Sequence, residues 1–382
     1  MRQYQHPLLV ESTHDESARQ DFASSMRLAV TSDIQFGNRH VYEKDVAPAF
    51  EKAQKRPLKN RTEARHALLR APYFQMWSSL KRTTQELVWA SVIEPLDRQA
   101  DDIKAKAKKG DKKLGSLRMN PDIDIPRYIS AVDIHSMPGN YHTEHEDEDI
   151  YQGALFDRGA WIYAMGSRGP LHDNGGFVLI DYLKKAHPGF TPKRILDMGA
   201  TIGGSTLPWC DVFPDAEVHA IDVAGPCVRY GHARAEALGK KVHFHQMNAE
   251  KTDFADESFD LVVSCIMMHE TANTALHNIF AETHRVLRKG GVALHMDGPQ
   301  YEDLPVIQQV ISDWDTHYNA EPFIGTLHDM NLTEVMRMGG FSPARVKEVA
   351  HPRFAPNHTG LDINNVAPTH RAGNYLIVDG VK

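Results

Sequence analysis

At 382 residues the chain exceeds the usual length of one domain, which predicts a main domain with a sizeable accessory region. Hydrophobic residues make up 41% and charged residues 24%, which excludes a fibrous or disordered protein, and the net charge of −7 supplies no general attraction to nucleic acid. No apolar run approaches the ~18 residues of a membrane span. The N-terminus lacks the basic flank and apolar stretch of a signal peptide. Cys210, Cys227 and Cys265 show no C-x-x-C spacing, which argues against a disulfide framework or a cysteine zinc cluster and for a cytoplasmic address.

In chain order, residues from about 15 to 110 carry apolar side chains at three and four spacing and predict helices. Tyr73, Phe74, Trp77 and Trp89 in this region are expected to pack on the main domain, to form a homodimer face, or to cover a pocket. The basic stretch "KAKAKKGDKKLGSLR" reads as a solvated linker, with a phosphate-contacting patch as the sharper alternative. From about 125 to 170 the pattern becomes irregular and dense in His, Gly and acids, and predicts long loops with a few short elements. The resulting division is 1–125 (helical, accessory), 126–190 (irregular connector and lid with a helix entering the core) and 191–382 (main domain). From Arg194 onward RILDM, EVHAID, KVHFHQ, FDLVVSC and GGVALHMD alternate with helical intervals, and ARVKEVA and NYLIVDG add two late strands. Such alternation predicts an α/β fold with a mostly parallel sheet covered on both faces.

The stretch "RILDMGATIGGSTLPW" joins a strand to a helix through a glycine turn, as in nucleotide-binding corners, yet sets Asp197 where a phosphate would sit. A carboxylate there repels phosphate and suits a ligand with positive or hydrogen-bond-donating groups. The ammonium and sulfonium of S-adenosylmethionine meet that need. Gly199 lets the chain turn sharply and the ligand approach, with Ala200, Thr201 and Gly203 forming the floor. Asp222 ends the next strand, where a carboxylate can grip two ribose hydroxyls, followed by Val223. Asn248, Ala249 and Glu250 follow the third strand and are candidates to read an adenine edge, with Met247 packing on its face.

"ILDMGATIGG", "VHAIDVA", "NAEKTDFADESFDLVVSCIMMHE" and "ETHRVLRKGGVALHMD", in this order, resemble the class I S-adenosylmethionine-dependent methyltransferases, particularly the small-molecule group that includes ubiquinone and menaquinone biosynthesis enzymes. The resemblance covers roughly residues 194–297. It implies a Rossmann-like seven-stranded sheet with a reversed last strand, the cofactor across the C-terminal strand ends, and the acceptor in the loops above. It also implies cofactor contact around Ser264 in the fourth strand. Two departures stand out: Asn248 replaces the usual Asp, and Gly-Ala-Thr-Ile-Gly-Gly replaces a Gly-x-Gly turn.

His269, after the fourth strand, is a candidate general base or a cofactor-lining residue. Upstream, His135, Tyr141, His142 and His145 precede an acidic run, read as a lid touching substrate through Tyr141 and His142, as a solvated loop, or as a metal site on His142, His145 and a nearby carboxylate. No metal is assigned. "SCIMMHE" resembles neither the Asn/Asp-Pro-Pro-aromatic motif of nucleobase amino methyltransferases nor the glutamate pair of protein arginine methyltransferases, which leaves a small organic acceptor. Trp314, His317, Tyr318 and Phe323 are expected to contact that acceptor or to pack a cap. The expectation is methyl transfer to a small molecule, without nucleic acid or membrane partners. Alternatives are a non-catalytic cofactor-binding or assembly protein, a nucleic-acid methyltransferase and a nicotinamide-dependent oxidoreductase.

Overall fold

The computed structural model describes residues 3–109, 113–302, 304–350 and 374–382. Its frame is one mixed sheet of eight strands: β1 Ser116–Arg118, β2 Arg194–Met198, β3 Glu217–Asp222, β4 His243–Gln246, β5 Phe259–Cys265, β6 Leu287–Asp297, β7 Ala344–Ala350 and β8 Asn374–Val381, in the spatial order β1-β4-β3-β2-β5-β6-β8-β7. The strands from β1 to β6 pair in parallel, and β8 runs antiparallel to both β6 and β7. The seven strands implied by the resemblance are therefore present with the reversed last strand. β1 is an addition from the accessory region, sealed to the edge by the Leu114 and Gly115 amides, which donate to the Glu236 carboxylate.

The strands read as apolar runs because both sheet faces are covered. Along β2 and β5, Ile195, Leu261 and Val263 join one core with Leu179, Leu183 and Trp209, while Leu196, Met198 and Val262 join the opposite core with Ile279 and Phe280. The pleat thus sends alternate side chains into the two helical layers.

The accessory region is helical, as its periodicity predicts, and is built on the long helix Pro72–Asp97. Helix His14–Ala29, started by a Thr13–Glu16 capping box, packs along it. Phe74, Trp77 and Trp89 are buried within this chain, and Trp77 meets Trp314 edge to face with ring centroids 6.0 Å apart.

The segment expected to be long loops contains a 13-residue helix, Tyr151–Tyr163. It escaped the periodicity reading because its residues are buried on nearly every side, so no polar stripe marks an outer face. Gly159 permits this: a Cβ there would come within 2.3 Å of the Trp89 ring. The same helix carries Asp157, fully buried, which pairs with Arg234 (3.0 Å), His6 (3.0 Å) and His172 (3.2 Å) and accepts from the Tyr230 hydroxyl. One carboxylate thereby ties the N-terminal tail, the accessory helices and the helix Gly225–Ala237 of the sheet domain together.

Candidate functional site

The strand order reverses on either side of β2, so the C-terminal ends of β2, β3 and β5 open onto a crevice, the usual ligand position in open α/β sheets. A cleft with about 1250 Å³ of unfilled space, partly open to solvent, lies there. Gly199, Ala200, Thr201, Asp222, Val223, Met247, Asn248 and Ala249 line one wall. Gly199 has φ +71° and its α-carbon lies so close to Met267 that a Cβ would be 2.6 Å from Met267 Cγ. Only glycine satisfies both conditions.

Asp222 sits at the tip of β3 with Oδ2 accepting from the Thr201 amide (2.8 Å) and Oδ1 from the Ala224 amide (3.0 Å). Burial pushes its carboxyl up to about 6, against the opposing pull of these amides. Asp197 lies beneath the turn and is 1% exposed. Its Oδ2 accepts from Thr206 (2.7 Å) and Ser205 (3.3 Å), while Oδ1 has no hydrogen-bond partner among the described residues. Burial raises this carboxyl to about 7. Both acids are thus set to gain from a ligand that brings positive charge or donors.

The opposite wall is polar and dense in titratable groups. Tyr141 donates to Glu270 Oε1 (3.0 Å), and His135 Nε2 lies 3.2 Å from the same oxygen. All three line the cleft. Behind them His269 donates through Nδ1 to Asp297 Oδ1 (2.8 Å) and through its amide to Oδ2 (3.1 Å). Glu321 Oε1 closes the group, 2.9 Å from His135 Nδ1 and 3.7 Å from His269 Nε2. Burial alone would lower both imidazoles, but Asp297 carries His269 up to about 9, and Glu321 and Glu270 carry His135 well above the usual histidine range. His135 itself is held at φ +56° by its own carbonyl, which accepts from Gln85 Nε2 (2.6 Å) and Trp89 Nε1 (2.9 Å) of the long accessory helix.

Residues 195–291, from the first strand of the glycine turn to the start of the last parallel strand, match the family model described as a methyltransferase domain. This part of the chain is similar to the S-adenosylmethionine-dependent methyltransferases. Among similar proteins, the demethylmenaquinone methyltransferase of Thermus thermophilus is 32% identical over 108 residues, 28% of this chain and 48% of that protein. The malonyl-[acyl-carrier protein] O-methyltransferase of Geobacter sulfurreducens is 35% identical over 115 residues, covering 29% and 41% respectively. The ribosomal RNA small subunit methyltransferase G of Parabacteroides distasonis is 30% identical over 133 residues, covering 34% and 56%. The chain spans about half the length of these relatives.

The remaining candidate residues fall outside the cleft lining. Gly203, at φ +77°, packs against Phe244. Ser264 is fully buried in β5, with its hydroxyl 2.8 Å from His295 Nδ1. Glu250 accepts from Tyr128 (2.9 Å) and Asn278 (2.8 Å), and its amide donates to Asn248 Oδ1 (2.8 Å). His142 is half-buried one residue beyond Tyr141, its imidazole lowered by burial. The acidic run meets the basic stretch: Lys104 pairs with Glu146 (2.6 Å) and Lys108 with Glu148 (2.7 Å), while residues 110–112 lie outside the described residues. Trp314 is buried and donates to Ser78 (2.7 Å), and His317 lies 3.4 Å from Asp313. Tyr318 packs on Trp314, and Phe323 meets Tyr128 edge to face at 6.3 Å.

The sequence reading did not assign Glu321, Asp297, Arg168 or Tyr128 to the site. Arg168 and Tyr128 line the cleft, and Glu321 enters from the segment whose aromatic residues drew attention instead. The signal available for Glu321 was the same inserted segment between the last parallel strand and β7. Nothing local distinguishes its carboxylate from those of its neighbours.

Proposed function

We propose that this protein transfers the methyl group of S-adenosylmethionine to a small organic acceptor. The observation that carries the reading is the cleft itself: a glycine turn with two buried carboxylates on one wall faces Tyr141, Glu270 and His135 on the other. Asp222 takes the ribose hydroxyls, and Asp197, through Ser205 and the turn, sets the negative field around the cofactor's ammonium. Asn248, Ala249 and Met247 hold the adenine.

Methyl transfer is an in-line displacement in which the acceptor's lone pair attacks the methyl carbon and the sulfonium leaves as a neutral thioether. Glu270 lines the cleft and takes the acceptor's proton where the acceptor carries one, with Tyr141, hydrogen-bonded to Glu270, orienting that acceptor. His269 acts as a positioning residue: its imidazole is anchored on Asp297, behind the cleft wall. A small acceptor is supported by the walls drawn from the accessory region, which leave Tyr141 only 7% exposed. The ribosomal RNA relative names the competing acceptor class, and the negative net charge speaks against it.

Three free cysteines fit a reducing cytoplasm, and among the described residues no helix is long and apolar enough to cross a membrane. Exposed Phe22, Phe36 and Met76 offer apolar surface for the homodimer expected through the N-terminal helices. Calorimetric titration with S-adenosylmethionine, followed by a screen of metabolite acceptors for S-adenosylhomocysteine release, tests the function. Absence of cofactor binding refutes it. Turnover on ribosomal RNA but on no metabolite refutes the acceptor class.

A further inference from the structure

The second wall of the cleft has a feature that methyl transfer alone does not require. Four side chains from separate parts of the chain converge: His135 from the loop after the accessory helices, His269 and Glu270 after β5, and Glu321 from the segment after β6. One donor atom each from His135, His269 and Glu270 lies within 4.8 Å of the others. Glu321 Oε1 meets the other ring nitrogen, 2.9 Å from His135 Nδ1, and is 3.7 Å from His269 Nε2, whereas Glu270 Oε1 is 3.2 Å from His135 Nε2 and 3.9 Å from His269 Nε2. Zinc-type ions bind nitrogen and oxygen at about 2.0–2.2 Å, so donors around a tetrahedral ion stand roughly 3.3–3.6 Å apart. The observed separations bracket that value.

We propose that His135, His269 and Glu270 form a binding site for a divalent first-row metal ion of the zinc type, at the acceptor side of the cleft, with Glu321 as an outer carboxylate. Two imidazoles that give up a proton to the ion and one carboxylate are a donor set suited to such ions, and with Glu321 beside them the two negative charges balance a dication.

The outer contacts are those of a ligand set held in place. His269 Nδ1 donates to Asp297 Oδ1 at 2.8 Å, which fixes the tautomer and turns the Nε2 lone pair inward. Glu321 Oε2 accepts from Asn319 (2.9 Å), and Glu270 Oε1 from Tyr141 (3.0 Å). His135 keeps a left-handed backbone, φ +56°, because Gln85 and Trp89 grip its carbonyl. Its Nδ1, although 2.9 Å from Glu321, is off the hydrogen-bonding direction and makes no hydrogen bond among the described residues. Glu321 therefore backs the ring nitrogen opposite the one that faces Glu270, the place of an outer carboxylate behind a metal-bound imidazole. Since His135 and Glu270 line the cleft, an ion here meets the acceptor and favours its deprotonated form.

The proposal does not depend on the acceptor's identity or on turnover, and its test reads metal directly. Chelator-treated full-length protein is titrated with Co2+ under anaerobic conditions, and visible absorption is followed. The expected result is one Co2+ per chain, with the intense bands of four- or five-coordinate cobalt, bleached by equimolar Zn2+. The bands should be lost in His135→Gln and in His269→Gln, with S-adenosylmethionine binding and far-UV circular dichroism serving as controls for folding. Absence of the bands in the unsubstituted protein, or their survival in both variants, overturns the proposal. Should either variant fail to fold, the Co2+ form of the unsubstituted protein decides through its paramagnetically shifted imidazole N–H signals: two histidines support the site, and none refutes it.

Discussion

Asp197→Asn separates the cost of a buried carboxylate from its use. The carboxyl of Asp197 is raised by burial to about 7, from an ordinary value of ~3.9, and its Oδ1 has no hydrogen-bond partner among the described residues. A shift of about three units corresponds to ~4 kcal/mol of disfavoured ionisation. The folded-state value lies above the unfolded one, so this contribution is fully favourable below pH ~4 and is lost as pH rises through 7. The amide removes the ionisation cost but leaves one of its N–H groups to find a partner, at ~1–3 kcal/mol. The expected net result is that cofactor-free Asp197→Asn exceeds the parent in stability by about 1–3 kcal/mol at pH 8, with the difference vanishing or reversing near pH 4. The same variant should bind S-adenosylmethionine roughly 10–100-fold more weakly, about 1.4–2.8 kcal/mol, because the negative field is gone. Urea unfolding at several pH values, paired with calorimetry, measures both. A stability difference that does not change with pH would refute the burial argument, and unchanged affinity would refute the role assigned to the carboxylate.

Asp222→Ala leaves the Thr201 and Ala224 amides without their acceptor and should weaken cofactor binding by about 100-fold or more, read by calorimetry. In the unsubstituted protein the Asp222 carboxyl, raised to about 6, must be ionised to hold the ribose. Affinity should therefore be level above pH 6 and fall below it, with a proton released on binding that calorimetry in buffers of different ionisation enthalpy detects. Gly199→Ala combines a strained φ of +71° with a Cβ 2.6 Å from Met267 and should cost about 2–4 kcal/mol of stability. Thermal unfolding should recover the steric part, but not the backbone part, when Met267→Ala is added. Tyr141→Phe removes the hydroxyl that donates to Glu270 and should lower kcat by roughly 10–100-fold while cofactor affinity stays within a factor of two, measured once an acceptor is found.

The parts of this molecule legible in the sequence are those whose physics is local. β2, β3 and β5 announce themselves because strands covered on both faces must be apolar throughout, and the turn at Gly199 and the acid at Asp222 follow from what a few consecutive residues require of the backbone. Helix Tyr151–Tyr163 breaks the same logic: buried all round and carrying Gly153 and Gly159 for close packing, it has neither an amphipathic stripe nor strong helix formers at those points. β1 is three exposed residues whose only reason to be a strand is the β4 edge beside it.

The acceptor wall is a harder case. His135 and Tyr141 were visible as a His-rich stretch and His269 as a residue after a strand, but their meeting with Glu321 depends on how the accessory helices and the segment after β6 close over the sheet. That closure is fixed by pairs far apart in sequence, such as Arg61 with Asp313 (2.9 Å) and Lys81 with Asp315 (3.2 Å). Lys81 is 1% exposed, so its charge is retained only through such a partner. The cofactor wall is thus a property of one supersecondary unit, and is shared with proteins that match only that unit. The acceptor wall is a property of the whole chain, which is why a family match over residues 195–291 points to cofactor chemistry while leaving the acceptor to be found by experiment.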